Sequence, residues 1–330
     1  MVALYKRLAG AGVDKAFLKK SRALPEWWDD EAALTPAGFS HGLRLIASHL
    51  GMEPASLREG QTPRFSREVA APCYKLSASA TPADVHLTTQ IAIQAAVLAL
   101  EALPQVQKAL PTAAADIRAE IRARGVGTID FRSLVDYCWS YGIPVIPLSD
   151  FPQKAKKMDG FAVRIGERFA IVLARKHAYP AWLIFTLAHE MAHICKGHLI
   201  GREVIADEDV YAEDTVKQEK EANIFALELL TGSPYKRFKL SGQYPSQLAD
   251  DARRKARALQ CDPGFVLLSH CYHVKQDWAK AQAALKSLES PIALKLLQRR
   301  LLERLDWGAL NDETAEYLRN LIVLEGDDLA

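Results

Sequence analysis

Trp182-Leu-Ile-Phe-Thr-Leu-Ala-His-Glu-Met-Ala-His-Ile-Cys195 decides the fold. Its apolar residues, Leu183, Ile184, Phe185, Leu187, Ala188 and Ile194, predict a single, largely buried helix. Three ionisable side chains interrupt that helix: His189, Glu190 and His193. Residues four apart project from one helical face, about one turn apart, so both imidazoles can reach one ion. Glu190, beside the first of them, can reach a water on that ion. Without partners such a triplet is costly to bury in an apolar helix, and a bound metal removes the cost.

His189-Glu190-Met191-Ala192-His193 has the H-E-x-x-H spacing of zinc peptidases. A catalytic zinc needs a third protein ligand and one open position for water. Downstream stand His198, Glu203, Asp207, Glu208, Asp209, Glu213, Asp214, Glu219 and Glu221. His198 lacks the spacing and the glycine of the metzincin pattern and reads as a surface histidine at the helix end, where donor side chains are favoured. The acidic stretch 203–214 has no apolar period and reads as a solvated loop. Glu219-Lys-Glu-Ala-Asn-Ile-Phe-Ala-Leu-Glu-Leu-Leu230 is amphipathic, with Ala222, Ala226 and Leu229 inward. Counting back three and seven residues from Ala222 and Ala226 reaches Glu219, whereas Glu221 lies about 200° away around the helix. Glu219 is therefore the expected third ligand and Glu221 the reserve. Asn223, one turn after Glu219, is expected to orient its carboxylate.

Phe185-Thr-Leu-Ala-His-Glu-Met-Ala-His193 followed by this glutamate helix resembles the ImmA/IrrE family of metallopeptidases. Upstream, Tyr141-Gly-Ile-Pro-Val-Ile-Pro-Leu148 resembles the family's strand, and Asp159-Gly-Phe-Ala-Val-Arg-Ile-Gly-Glu-Arg-Phe-Ala-Ile-Val-Leu-Ala-Arg175 its hairpin. The resemblance spans roughly residues 112–235 and implies a zinc-dependent endopeptidase of gluzincin type. By position it makes His189, His193 and Glu219 the ligands and Glu190 the general base. It also implies a protein substrate, a helix-turn-helix repressor or antitoxin-like regulator, in a stress or mobile-element response. Met191-Ala192 stands where Leu-Gly is common in the family, and Thr231-Gly-Ser-Pro where Met-Pro often follows; neither departure touches the metal chemistry.

The expected fold class is α+β and mainly helical, with a small twisted sheet in a gluzincin-like peptidase domain flanked by all-helical regions. The organisation reads as a helical region 1–72, a connector helix within 73–111, the peptidase segment 112–235 and a helical region 236–330. Thr35–Leu57 faintly resembles the last helices of phage-repressor-type helix-turn-helix domains, but no helix there carries the Arg, Lys, Gln or Asn side chains of a groove reader. A small partner-binding domain fits residues 1–72 equally well. Trp27-Trp28 reads as core. Val85–Leu103 is apolar and closed by Pro104. Asp130 can cap a helix running to Tyr141, with Gly142 after it, and Gly166-Glu167 is a two-residue hairpin signal. Pro180 suits the first turn of the histidine helix. His270 and His273, three apart, read as packing or surface.

The net charge is +2, and residues 1–72 carry ten basic against eight acidic residues, so charge alone predicts no DNA footprint. The five cysteines, Cys73, Cys138, Cys195, Cys261 and Cys271, show no C-x-x-C and no disulfide framework, which fits a reducing cytoplasm. Met1-Val-Ala-Leu-Tyr-Lys6 lacks a signal peptide's apolar core, and no run approaches the roughly 20 apolar residues of a membrane span. The chemistry expected is metal-assisted peptide hydrolysis with Zn2+, with Tyr211, Arg175 and His177 as candidates for an oxyanion donor. The competing reading is a non-proteolytic regulator binding a partner protein or DNA, with the zinc structural. Glu190 argues against it, because a purely structural site gains nothing from a carboxylate beside its first ligand.

Overall fold

Alternating apolar residues on either side of Gly166-Glu167 build the only regular hairpin among the described residues. Strands β2 (Gly160–Ile165) and β3 (Arg168–Leu173) pair antiparallel, with Ile165 opposite Arg168 and Gly160 opposite Leu173. Gly166 takes the turn at φ 61°, a left-handed conformation that glycine adopts without a Cβ penalty. A third strand, β1 (Val145–Pro147), runs parallel to β3 on its other side, giving the order β1-β3-β2. The structure, a computed structural model, describes residues 1–58, 60–66, 82–106, 108–148, 151–152, 159–174, 177–199 and 213–322.

Helices surround this sheet, and the fold is α+β and mainly helical (62% of the described residues). Before β1 come α1 (Val2–Gly10), α2 (Lys15–Lys20), α3 (Pro36–Leu50), α4 (Pro82–Glu101), α5 (Ala114–Ala123) and α6 (Phe131–Ser140). After β3 come α7 (Ala181–Cys195), α8 (Glu213–Thr231), α9 (Pro245–Leu259), α10 (Pro263–His273), α11 (Trp278–Leu288), α12 (Ala293–Arg304) and α13 (Asp312–Ile322). Their ends follow local chemistry. Thr35 caps α3 through Gly38 N–H, and Gly51 leaves that helix at φ 67°. Asp130 and Ser133 form a reciprocal capping box on α6. The glutamate helix α8 starts earlier than its amphipathic pattern suggests, so Glu213 and Asp214 are helical rather than part of a loop; residues 203–212 lie outside the described residues.

The histidine helix α7 packs on β2 and β3 on one side and on α8 and α10 on others. The side chains of Leu183, Ile184, Leu187, Ala188 and Met191 are fully buried there. One buried cluster continues from Leu4 in α1 to Ile322 in α13. Named polar contacts bind its parts together. Arg118 of α5 is buried and donates to the carbonyls of Leu229 and Leu230 and to those of Leu259 and Gln260. One guanidinium thus satisfies the last carbonyls of both α8 and α9, where helix dipoles favour a cation. Arg168 of β3 closes the end of α4 through Leu100 O and Leu103 O. Arg300 of α12 grips both oxygens of Asp136 on α6, at 2.6 and 3.0 Å.

One packing expectation needs revision and another gains a partner. Trp28 packs against the core, but Trp27 is 58% exposed and stacks on His41, because the turn between α2 and α3 lets only one of two adjacent side chains face inward. His270 is packing as expected, yet it has an acidic partner: Asp277 Oδ2 lies 2.9 Å from its Nε2, brought back by the turn after α10. No helix among the described residues is long and apolar enough to cross a membrane.

Candidate metal centre

His189 and His193 meet Glu219 where α7 crosses α8. The two Nε2 atoms lie 3.1 Å apart, His189 Nε2 is 3.3 Å from Glu219 Oε2, and His193 Nε2 is 3.3 Å from Glu219 Oε1. Among the described residues this is the one group of three or more metal-ligating side chains with converging donor atoms. Nitrogen and oxygen ligands held about 2.0–2.1 Å from a tetrahedral ion stand about 3.3–3.4 Å from one another, so the observed triangle has the size of one face of a zinc coordination sphere. The donor types also suit that ion, two imidazoles and one carboxylate leaving a fourth position open. His193 is buried, while His189 and Glu219 are partly open to solvent, so the open position has access from outside.

Electrostatics tie the three together. Burial alone would raise Glu219, but hydrogen bonds from His189 and His193 and their charge outweigh it and hold the carboxyl well below its ordinary range. His189 moves the opposite way: burial lowers it, and Glu219 and Glu190 more than restore it. Glu190 is buried, and desolvation pushes its pKa up. Its Oε2 accepts the Ala162 N–H at 2.9 Å. Ala162 lies on β2, an edge strand of the sheet, and this amide points off the ladder toward α7. One carboxylate oxygen is thereby anchored and the other left for a proton. Composition and spacing gave no signal for Ala162, because its contribution is a main-chain group.

The expected residues divide as follows. His189, His193 and Glu219 are brought together, with Glu190 alongside. Glu221 does not join them; its Oε2 is 3.3 Å from His198 Nε2. His198 is not a surface residue: it is 8% exposed, and its Nδ1 lies 3.0 Å from His193 Nδ1. Burial, and then the charge of His193, lower its pKa and favour a neutral ring. The cause is the end of α7. Gly197 takes φ 71°, Gly197 N–H bonds Ile194 O and His198 N–H bonds His193 O, the two bonds of a Schellman turn. That turn sets the residue after its glycine over the third-last position of the helix, here His193. The glycine was the available signal. The Asn223 side chain adds to the influences that raise the pKa of His189, and among the described residues His189 Nδ1 closes no hydrogen bond. His177 stacks on Trp182, two turns before His189, while Tyr211 and Arg175 lie outside the described residues.

The family model described as the IrrE N-terminal-like domain, Peptidase_M78, matches residues 138–250, which hold β1, the hairpin, α7, α8 and the start of α9. No curated protein and no solved structure matches the chain. The match does not reach residues 1–137, so the repressor-like resemblance near Thr35–Leu57 has no counterpart in it. Over residues 138–250 the chain is thus similar to the IrrE N-terminal-like domain of the M78 peptidases, which supports the ImmA/IrrE resemblance for that segment.

Proposed function

We propose that the chain is a zinc-dependent endopeptidase that cleaves a specific protein partner. The observation that carries this reading is the placement of Glu190: beside the His189–His193–Glu219 triangle, buried, with one oxygen held by the Ala162 amide. His189, His193 and Glu219 hold the ion. Bound there, zinc supplies Lewis acidity toward a water and toward the scissile carbonyl. Glu190 takes the water's proton on its unanchored oxygen and returns it to the leaving amine, so it ends the cycle as it began. Desolvation raises the affinity of Glu190 for that proton, as a general base needs. A merely structural metal site has no use for a buried carboxylate fixed in this way.

The partner in this reading is a helix-turn-helix repressor or an antitoxin-like regulator, and the setting a cytoplasmic stress or mobile-element response. Support comes from the ImmA/IrrE resemblance, and from Cys138, Cys195, Cys261 and Cys271, all buried and free. The test compares new protein N-termini in cells carrying wild-type chain or Glu190→Gln, with and without stress. One or a few termini on a repressor, present only with wild type, are expected, with zinc content equal in both forms and turnover of the variant down by about 100-fold or more. Equal turnover by a zinc-loaded Glu190→Gln chain removes the general-base role. No wild-type-specific terminus under any condition favours the binding regulator instead.

A further inference from the structure

We infer that His198 and Glu221 are positioning residues for the metal centre, forming a relay from Glu221 through His198 to His193. The inference rests on the metal site proposed above and extends it outward by two side chains. His193 uses Nε2 toward His189 and Glu219, so its Nδ1 faces away from the triangle. There it meets His198 Nδ1 at 3.0 Å. Two imidazole nitrogens at that distance share one proton, and one of the two rings must supply a lone pair. A metal-ligating His193 keeps its Nε2 lone pair free for the ion and so carries its proton on Nδ1. His198 must then accept at Nδ1 and carry its own proton on Nε2. Glu221 Oε2, 3.3 Å from that Nε2, is the acceptor this arrangement requires. Every proton in the chain is thereby assigned: His193 donates to His198, and His198 donates to a carboxylate.

Metal-bound histidines ordinarily pass their second N–H directly to a carboxylate or carbonyl, which fixes the ring and raises its basicity. Here a second imidazole is interposed. The Schellman turn at Gly197 usually brings an apolar residue over the end of the helix; here it brings His198 instead. Glu221 arrives from α8, two residues after Glu219, and the angle between them on the helix lets one carboxylate face the ion and the other face His198. His198 is 94% buried in its side chain, so little water competes for His193 Nδ1, whereas Glu221 is 43% exposed and can be replaced without opening the core.

The experiment is a zinc-affinity measurement by chelator competition on the full chain, comparing wild type with Glu221→Ala, Glu221→Gln, His198→Ala and, as a control on an exposed neighbour, Lys220→Ala. Loss of affinity of about 10- to 100-fold is expected for Glu221→Ala and for His198→Ala. Glu221→Gln, which still accepts the hydrogen bond, should recover part of it, and Lys220→Ala should match wild type. Nitrogen-15 spectra of the zinc-loaded wild type should show His193 protonated at Nδ1 and His198 at Nε2. Wild-type affinity in Glu221→Ala, or the opposite tautomer of His198, overturns the relay and leaves the peptidase reading standing. Failure of wild type to bind zinc overturns both. Should His198→Ala not fold, the two Glu221 variants decide alone.

Discussion

Glu190 owes its orientation to a backbone amide. Ala162 contributes no side-chain chemistry, so the useful perturbation removes its N–H. Proline does this, and proline is tolerated on an edge strand where the amide makes no ladder bond. Ala162 meets that condition, since its N–H bonds Glu190 Oε2 and not β3. Ala162→Pro should keep the melting temperature close to wild type and lower turnover on the order of 10-fold, as one oxygen of the base loses its anchor. Wild-type turnover in a folded variant would show that Glu190 needs no such anchor. His189, Glu190 and His193 are legible in the sequence because three residues in five share a helical face. The Ala162 contact is not, because it depends on which way a strand edge points.

At the level of elements, two carboxylates stand near the start of α7, Asp262 buried and Glu289 partly buried. Glu289, just after α11, accepts the Ala181 N–H at 3.0 Å. Burial, then the neighbouring Asp262, push its pKa up to about 8. Burial likewise pushes Asp262, the cap of α10, up to about 6. Both folded-state values lie above the unfolded ones, so the native chain binds more protons than the unfolded chain between about pH 4 and pH 8. Their contribution to stability is complete below that range and is lost as pH rises through 6 and then 8. Glu289→Gln retains an acceptor for Ala181 and has nothing to ionise. Urea midpoints measured from pH 5 to pH 9 should fall less steeply for the variant than for wild type, and parallel curves would contradict the assignment. Several helix ends were readable, from Asp130, Gly51 and Gly142 with apolar periodicity between them, whereas the start of α8 was not. Their mutual contacts were not: Glu289 reaches α7 across more than a hundred residues.

For the whole molecule, the matched segment 138–250 packs against elements on both sides of it in the sequence. Its strand β1 packs on α12, its helix α7 packs on α10, and Arg118 from outside it holds the ends of α8 and α9. Residues 138–250 produced alone would expose those faces. They should lack a cooperative thermal transition, whereas the full chain should unfold with one. A sharp transition in the fragment, with zinc bound, would show that the outer helices are accessory. The α+β class, the hairpin at Gly166-Glu167, the helices and the triad His189–His193–Glu219 all follow from local chemistry: period, turn residues and side-chain direction along a helix. Tertiary structure alone decided that Glu190 is anchored by Ala162 and that Glu221 lies against His198 rather than in the His189–His193–Glu219 group. Those contacts join residues on different elements, 23 and 28 positions apart for His198–Glu221 and Ala162–Glu190, where the direction of a strand edge and the crossing of two helices set the distance and no periodic pattern records it. His198–His193 is the intermediate case, five residues apart and written into the sequence only through the left-handed turn of Gly197.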